Sequence, residues 1–471
     1  MLRRYLSSLV LFCVLLARGD WSSQAGEAAA GEVRLITLAP EHFHAALFHK
    51  EMLPGVSRRA SIYAPLGPEL IAHLNRMAVF NRRKENPTRW ELEIYAGPDF
   101  LDRMLQERRG NAVILSGRGR GKIEMIRACV ENGLHVLGDK PWILDSADLS
   151  KVEDVLNAAE KKGVVAFDGM TQRFEIKDIL HRELIGDPDL FGSLVPGSPD
   201  APAIHLQSVH YLMKLVAGVP NMRPPWFFDT EQQGEGLSDL GTHLADLVMW
   251  MAFPEQAIDW RTDVQMVAAA HWPTVLTKAE FQRVTGEPDF PEYLKPRVKN
   301  DRLEYYCNNT VNYTIRGIHT RLDVIWRYEA EPGEGDTETG MIRGSRSCVE
   351  VRQGKTENYL PELSVIPNRN EDKTEVLRAV QRKIKALQAA YPGVAVEDQG
   401  ERIHVRIPDR YRVGHEAHFA MLAERFLEYL KNPKLLPVWE KPNMLAKYYV
   451  TTKGVELARQ SAGPVKTQGG K

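Results

Sequence analysis

Cysteine is nearly absent from this chain. Four occur in 471 residues, at positions 13, 129, 307 and 348, and no two are spaced C-x-x-C. Cys129, Cys307 and Cys348, the three beyond the N-terminal segment, are too few for a disulfide framework. Cys129 sits in an apolar helical pattern and reads as core, while pairing of Cys307 with Cys348 is left open. An excess of one charge is lacking too: 61 Lys and Arg face 62 Asp and Glu, for a net charge of −1. That balance excludes a general nucleic-acid or polyanion binder, which works through a basic surface. No apolar run reaches the roughly 20 residues of a membrane-spanning helix. Internal repeats and low-complexity tracts are missing as well. With 43% hydrophobic and 26% charged residues, the chain reads as an ordinary globular protein.

What the N-terminus does hold is a leader pattern. Residues 1–28 combine Arg3 and Arg4, an apolar stretch from Leu6 to Ala17, and small residues at Ala25, Gly26 and Ala28. This is the layout of a secretory signal peptide, so the expectation is a secreted or periplasmic protein with no membrane span in the mature chain. A membrane anchor or a buried first helix is the competing reading. Arg3-Arg4 ahead of Tyr5-Leu6 also suits twin-arginine export.

A chain longer than about 250–300 residues usually divides into domains. From Val33 onward, short apolar runs alternate with helical patterns. Strands read at 33–38, 60–64, 92–96, 112–116, 135–138 and 164–168, with helices at 45–53, 99–108, 122–132 and 149–162. Gly133 and Gly163 stop two of the helices. Such alternation implies right-handed crossovers and a parallel sheet. The expected fold class is α/β: a Rossmann-type doubly wound parallel sheet over 31–171, then an α+β domain with a mainly antiparallel sheet over 172–462. A flexible tail follows at 463–471. Alternating runs such as Thr310–Ile315 and Thr320–Trp326 mark the second sheet. Residues 236–251 read as one long amphipathic helix, and 371–391 and 413–431 as two more.

In a doubly wound sheet the turn after the first strand faces the pyrophosphate of a dinucleotide. Here it reads Leu38-Ala39-Pro40-Glu41-His42-Phe43-His44, with no glycine where G-x-G-x-x-G is usual. The second strand ends Tyr63-Ala64-Pro65, without an acidic residue for the ribose, so NAD and NADP are not separated. His42 and His44 are metal-ligand types. Two imidazoles on a turn with no third ligand nearby make a poor site, and no metal is expected.

Lys140, in Gly138-Asp139-Lys140-Pro141-Trp142, stands at the carboxyl end of a parallel strand, where ligands bind in such sheets. A solvated lysine is the alternative. Asp239 and His243 are four residues apart in the segment from Gly234 to Asp246, which places both on one helix face. A carboxylate beside an imidazole makes an acid–base pair, or simply a structural hydrogen bond. Arg118, Arg120 and Lys122 follow the fourth strand, either near cofactor phosphates or solvated. His210, Lys214, Arg223, Trp226 and Asp229 precede the helix in a loop suited to a sugar. His415 and His418 share a face of a late helix and either join the pocket or sit on the surface.

Asp139-Lys140-Pro141 after the fifth strand, followed by G-x-G-x-x-D-x-G-x-H opening a helix, resembles the glucose–fructose oxidoreductase and inositol dehydrogenase family (Gfo/Idh/MocA) over roughly residues 31–260. Thr171-Gln172-Arg173 resembles the family's passage into its second domain. The pattern P-E-H-F-H-A-A is similar to a divergent, often exported branch with its own C-terminal domain. The resemblance implies an NAD(P)-dependent oxidoreductase acting on a hydroxyl of a small-molecule carbohydrate: a sugar, polyol or sugar acid. It implies catalytic roles for Lys140, which polarises the oxygen, His243, which takes the hydroxyl proton, and Asp239, which orients. Cofactor contacts are expected at Leu38, Ala39, Pro40, His42, Phe43, His44, Ser116, Gly117, Asp139 and Lys140. Substrate contacts are expected at Gln172, Arg173, His210, Lys214, Trp226 and Asp229. Asp139 stands where the family usually has Glu. Two other readings stay open: a redox-neutral, NAD-dependent glycoside-cleaving enzyme, and a non-catalytic sugar-binding relative. The sugar, the position oxidised and the oligomeric state do not follow from the sequence, although a homo-oligomer is the analogy.

Overall fold

The computed structural model describes residues 32–216, 219–220 and 222–461; the leader at 1–28 and the tail at 463–471 lie outside them. Short apolar runs make the first sheet: β1 (Leu35–Leu38), β2 (Arg59–Ala64), β3 (Glu91–Ala96), β4 (Ala112–Leu115), β5 (His135–Gly138) and β6 (Ala166–Asp168). β1 and β4 are buried at every position, as strands covered on both faces are. All pairs are parallel, in the order β3-β2-β1-β4-β5-β6. The order reverses between β1 and β4, so a crevice opens there beyond the strand ends.

The crossovers carry α1 (His44–Leu47), α2 (Pro68–Arg82), α3 (Phe100–Glu107), α4 (Lys122–Glu131) and α5 (Leu149–Lys162). The helix read at 45–53 is thus a single turn. α2 left no clear stripe in the sequence because apolar Ile71 and Val79 face solvent.

Strand side chains alternate between the two faces of the sheet. Ile36, Leu38, Val113 and Leu115 pack one way, while Leu35, Ala112, Ile114 and Leu137 pack the other. Each face is completed by the end of the chain. Helix His415–Lys431 brings Phe419, Leu422 and Phe426 to one face, and helix Glu440–Gln460 brings Met444, Leu445 and Tyr448 to the other.

The second sheet has ten strands. β7 (Ile204–Met213) runs parallel to Ile318–Glu329, with Ile204 opposite Thr320, and the remaining pairs are antiparallel. Cys307 and Cys348 are both free. Their strands stand four steps apart in the sheet order, about 19 Å at the usual interstrand spacing, beyond disulfide reach. Segment 236–251 is two helices, Gly236–Asp239 and Gly241–Ala252, joined through Leu240, whose φ of −74° and ψ of −34° remain right-handed helical. No helix among the described residues is long and apolar enough to cross a membrane.

Candidate active site

Lys140 leaves β5 and points its ammonium at a helix of the second domain, where it donates to Asp239 Oδ1; both side chains are buried. That helix sits close because Gly236 has no side chain. A Cβ there would stand 2.0 Å from the carbonyl oxygen of Cys307. Leu237 N donates to Asn309 Oδ1 at 2.8 Å, which ties the same turn to the sheet. His243 lies one turn on, fully enclosed, and its Nδ1 has no hydrogen-bond partner. Buried polar atoms are rarely left so.

The electrostatics follow from the packing. Burial opposes charge on Asp239, yet the Lys140 ammonium and its hydrogen bond outweigh that and hold the carboxyl below its usual range. Burial, then the Lys140 charge, holds the His243 imidazole well below its usual value, so it is neutral at pH 7.

The turn Leu38–His44 is shaped without glycine. Ala39 takes φ +46°, a left-handed conformation that glycine usually fills. Glu41 N and His42 N both donate to Ser116 O, at 3.0 and 3.1 Å, so these amides do not face a ligand. Gly117 is needed for a close approach: a Cβ there would meet Glu41 Oε2 at 2.6 Å. A cavity of about 300 Å³ opens between the ends of β1 and β2, lined by Ala39, Pro40, Ala64, Pro65, Leu66 and Arg118. Arg118 pairs with Glu41 and, at 3.1 Å, with Glu69, and its guanidinium lies 4.8 Å from the ring centroid of Trp226.

His42 and His44 turn inward. Each Nδ1 lies against Asp139 Oδ2, at 3.2 and 3.0 Å, and Ser116 Oγ donates to the same oxygen at 2.8 Å. The third group that the sequence did not place beside them therefore comes from the end of β5. Lys122, buried, donates to Asp139 O at 2.9 Å and supports the loop from beneath; burial pushes its pKa down to about 8. His415 joins as well, its Nε2 3.1 Å from His44 Nε2.

The expected substrate residues are less uniform. Arg173 is committed to Asp246 and Glu440 through four hydrogen bonds and ties the helix Gly241–Ala252 to the helix Glu440–Gln460. Gln172 has an unpaired Oε1 and Trp226 an unpaired Nε1. His210 is held between Asp336 Oδ2 at 2.9 Å and Ser208 Oγ at 2.8 Å, and Lys214 pairs with the same Asp336. Asp229 closes its own turn, accepting from Glu231 N at 3.0 Å and Gln232 Nε2 at 2.8 Å. Asp336 escapes sequence reading because nothing in its own neighbourhood marks it, and Glu41, though inside the marked turn, is defined by distant Arg118.

The sequence matches the family described as "Putative oxidoreductase C terminal domain" over residues 180–459. It is similar to the crystal structure of a "putative oxidoreductase" from Parabacteroides merdae ATCC 43184, at 44% identity and a TM-score of 0.89, covering 91% of this chain and 98% of that one. Levoglucosan dehydrogenase in complex with NADH and levoglucosan superposes with a TM-score of 0.57 at 12% identity, covering 91% and 98%. KijD10, a 3-ketoreductase from Actinomadura kijaniata in complex with NADP and TDP-benzene, does so with 0.52 at 13%, covering 88% and 95%. At such identities the likeness is one of fold. No curated protein sequence matches the chain.

Proposed function

The chain belongs to the Gfo/Idh/MocA-type oxidoreductases that carry this C-terminal domain, and on that premise we propose that it moves a hydride between NAD or NADP and a hydroxyl-bearing carbon of a sugar, polyol or sugar acid. The observation that carries the reading is the convergence of Lys140, Asp239 and His243, with the buried Nδ1 of His243 unpaired. The fold-level neighbours lend weight, since they hold NADH with levoglucosan in one case and NADP in another.

The residues present suit the cofactor. The cavity between β1 and β2 would take an adenosine portion, beside the switch point that lies between β1 and β4. Arg118 stands beside it as a partner for phosphate. Leu38, Ala39, Pro40 and Phe43 would border the nucleotide, and Ser116, Gly117 and Asp139 would lie toward its nicotinamide end. The turn serves through its surface rather than its amides, which Ser116 O already occupies. When bound, the nicotinamide supplies the hydride acceptor or donor.

The rest falls to the chain. Lys140 has three ammonium protons and spends one on Asp239, leaving donors for a substrate oxygen. Those donors stabilise negative charge as the hydroxyl proton departs. His243, neutral at pH 7, is the form that takes that proton. Asp239 anchors the Lys140 ammonium by accepting its hydrogen bond. His210 and Lys214, both anchored on Asp336, and Gln172 would contact the outer part of the sugar. Export through the leader at 1–28 is part of the same proposal, as is a homo-oligomer; the N-terminal sequence of the mature protein and its mass in solution test them.

Denaturing the purified protein and identifying the nucleotide it releases tests the cofactor. NADH formed with a free sugar supports the dehydrogenase, and His243→Ala is expected to abolish turnover while keeping nucleotide binding. Glycoside cleavage without net NADH would replace this reading with the redox-neutral one. Absence of released nucleotide, together with no thermal shift on adding NAD or NADP, would overturn both.

A further inference from the structure

We propose that His42, His44 and Asp139 form a binding site for a divalent first-row transition-metal ion beside Lys140. The two imidazoles present the same nitrogen, Nδ1, to the same carboxylate oxygen, at 3.2 and 3.0 Å. All three ligand atoms lie within 4.8 Å of one another. An ion about 2.1 Å from each ligand holds its ligands roughly 3–3.5 Å apart, so this spacing admits one with small adjustments. As hydrogen bonds alone, three donors would crowd one oxygen of Asp139, since Ser116 Oγ also points there.

Two imidazoles and a carboxylate suit zinc, manganese, iron(II) or cobalt, and three protein ligands leave positions open for water or a substrate oxygen. Two of the three ligands are held from behind. Asp139 N donates to Leu115 O at 2.7 Å, and His415 Nε2 lies 3.1 Å from His44 Nε2, the nitrogen turned away from Asp139. Such outer partners fix the ring and tautomer of a metal-bound histidine. The His42 side chain is 27% exposed, which gives an ion a path from solvent. Lys140 does not oppose the ion, because Asp239 neutralises it. The bound ion is then a Lewis acid for the oxygen that Lys140 holds. That role rests on the dehydrogenase reading, whereas binding itself does not.

The test uses the full chain, stripped with a chelator and titrated by calorimetry with Zn²⁺, Mn²⁺ and Co²⁺. It is expected to bind one ion per chain, with Co²⁺ giving visible d–d absorption. His42→Ala and Asp139→Asn, each confirmed as folded by its melting curve, are expected to weaken Zn²⁺ binding by about 100-fold or more. His243→Ala is expected to bind Zn²⁺ like the parent, so a failed base assignment and a failed metal site give different results. No binding by the folded parent chain, or equal affinity in parent and both ligand variants, would overturn the site.

Discussion

Lys140 and Asp239 stand 99 residues apart in sequence and form a buried ion pair that joins the end of β5 to the helix Gly236–Asp239. Each charge is tolerable there because the other is present. The pair is also the hinge of the proposed chemistry, since it fixes the ammonium that meets the substrate oxygen.

Removing one partner leaves a buried charge unpaired. Lys140→Met is expected to cost about 3 kcal/mol of folding stability. The double variant Lys140→Met with Asp239→Leu is expected to recover much of that loss while remaining inactive. Urea denaturation of both single variants and the double closes the thermodynamic cycle. Additive losses would mean that the pair is not coupled.

Acid should destabilise the fold through its buried neutral histidines. Burial lowers His49 to about 4 and His73 to about 3; burial, with the Lys177 charge behind it, lowers His181 to about 3. The unfolded chain takes up these protons near 6.5, the folded chain only far below. Their contribution is therefore complete above pH 6.5 and is lost as the pH falls from there toward about 4 for His49 and about 3 for His73 and His181, by about 1.4 kcal/mol per pH unit per histidine. His73 has both ring nitrogens unpaired, so His73→Leu is expected to flatten the slope. Urea midpoints measured between pH 7.5 and 5 check this, and an unchanged slope would refute it.

Gly236 holds the Asp239 helix against the sheet. Its substitution by alanine would drive a Cβ to 2.0 Å from the Cys307 carbonyl oxygen, a backbone atom with little freedom to yield. Gly236→Ala is expected to cost about 2–3 kcal/mol and to lower kcat by displacing Asp239. Melting temperature and turnover together test the claim; full activity at parental stability would contradict it.

Ala39 offers the opposite case. Its φ of +46° is strained for a residue with a Cβ. Ala39→Gly is expected to stabilise the protein by about 0.5–1 kcal/mol, the relief of strain less the added freedom of the unfolded chain. Chemical denaturation measures the difference, and a loss of stability would show that the turn prefers alanine.

Much of the architecture was legible because it rests on local periodicity. Buried strands such as Leu35–Leu38 and Ala112–Leu115 announce themselves as apolar runs, and Gly133 and Gly163 mark where helices stop. The terminal helix Glu440–Gln460 went unread for the converse reason. Its buried face carries Glu440, Lys447, Thr451 and Thr452, so it has no apolar stripe. Lys447 is enclosed by pairing with Asp168 and Asp246, residues that only folding brings near.

The same division runs through the site. The four-residue spacing of Asp239 and His243 and the placement of Lys140 at a strand end were determined by the sequence itself, since one helix face and one strand terminus are local facts. Tertiary structure alone decided that Lys140 meets Asp239, that Asp139 joins His42 and His44, and that His415 arrives from 371 residues away. Apolar residues partition by their own nature. A buried polar group is stable only where its partner is, and the partner's position is a property of the whole fold.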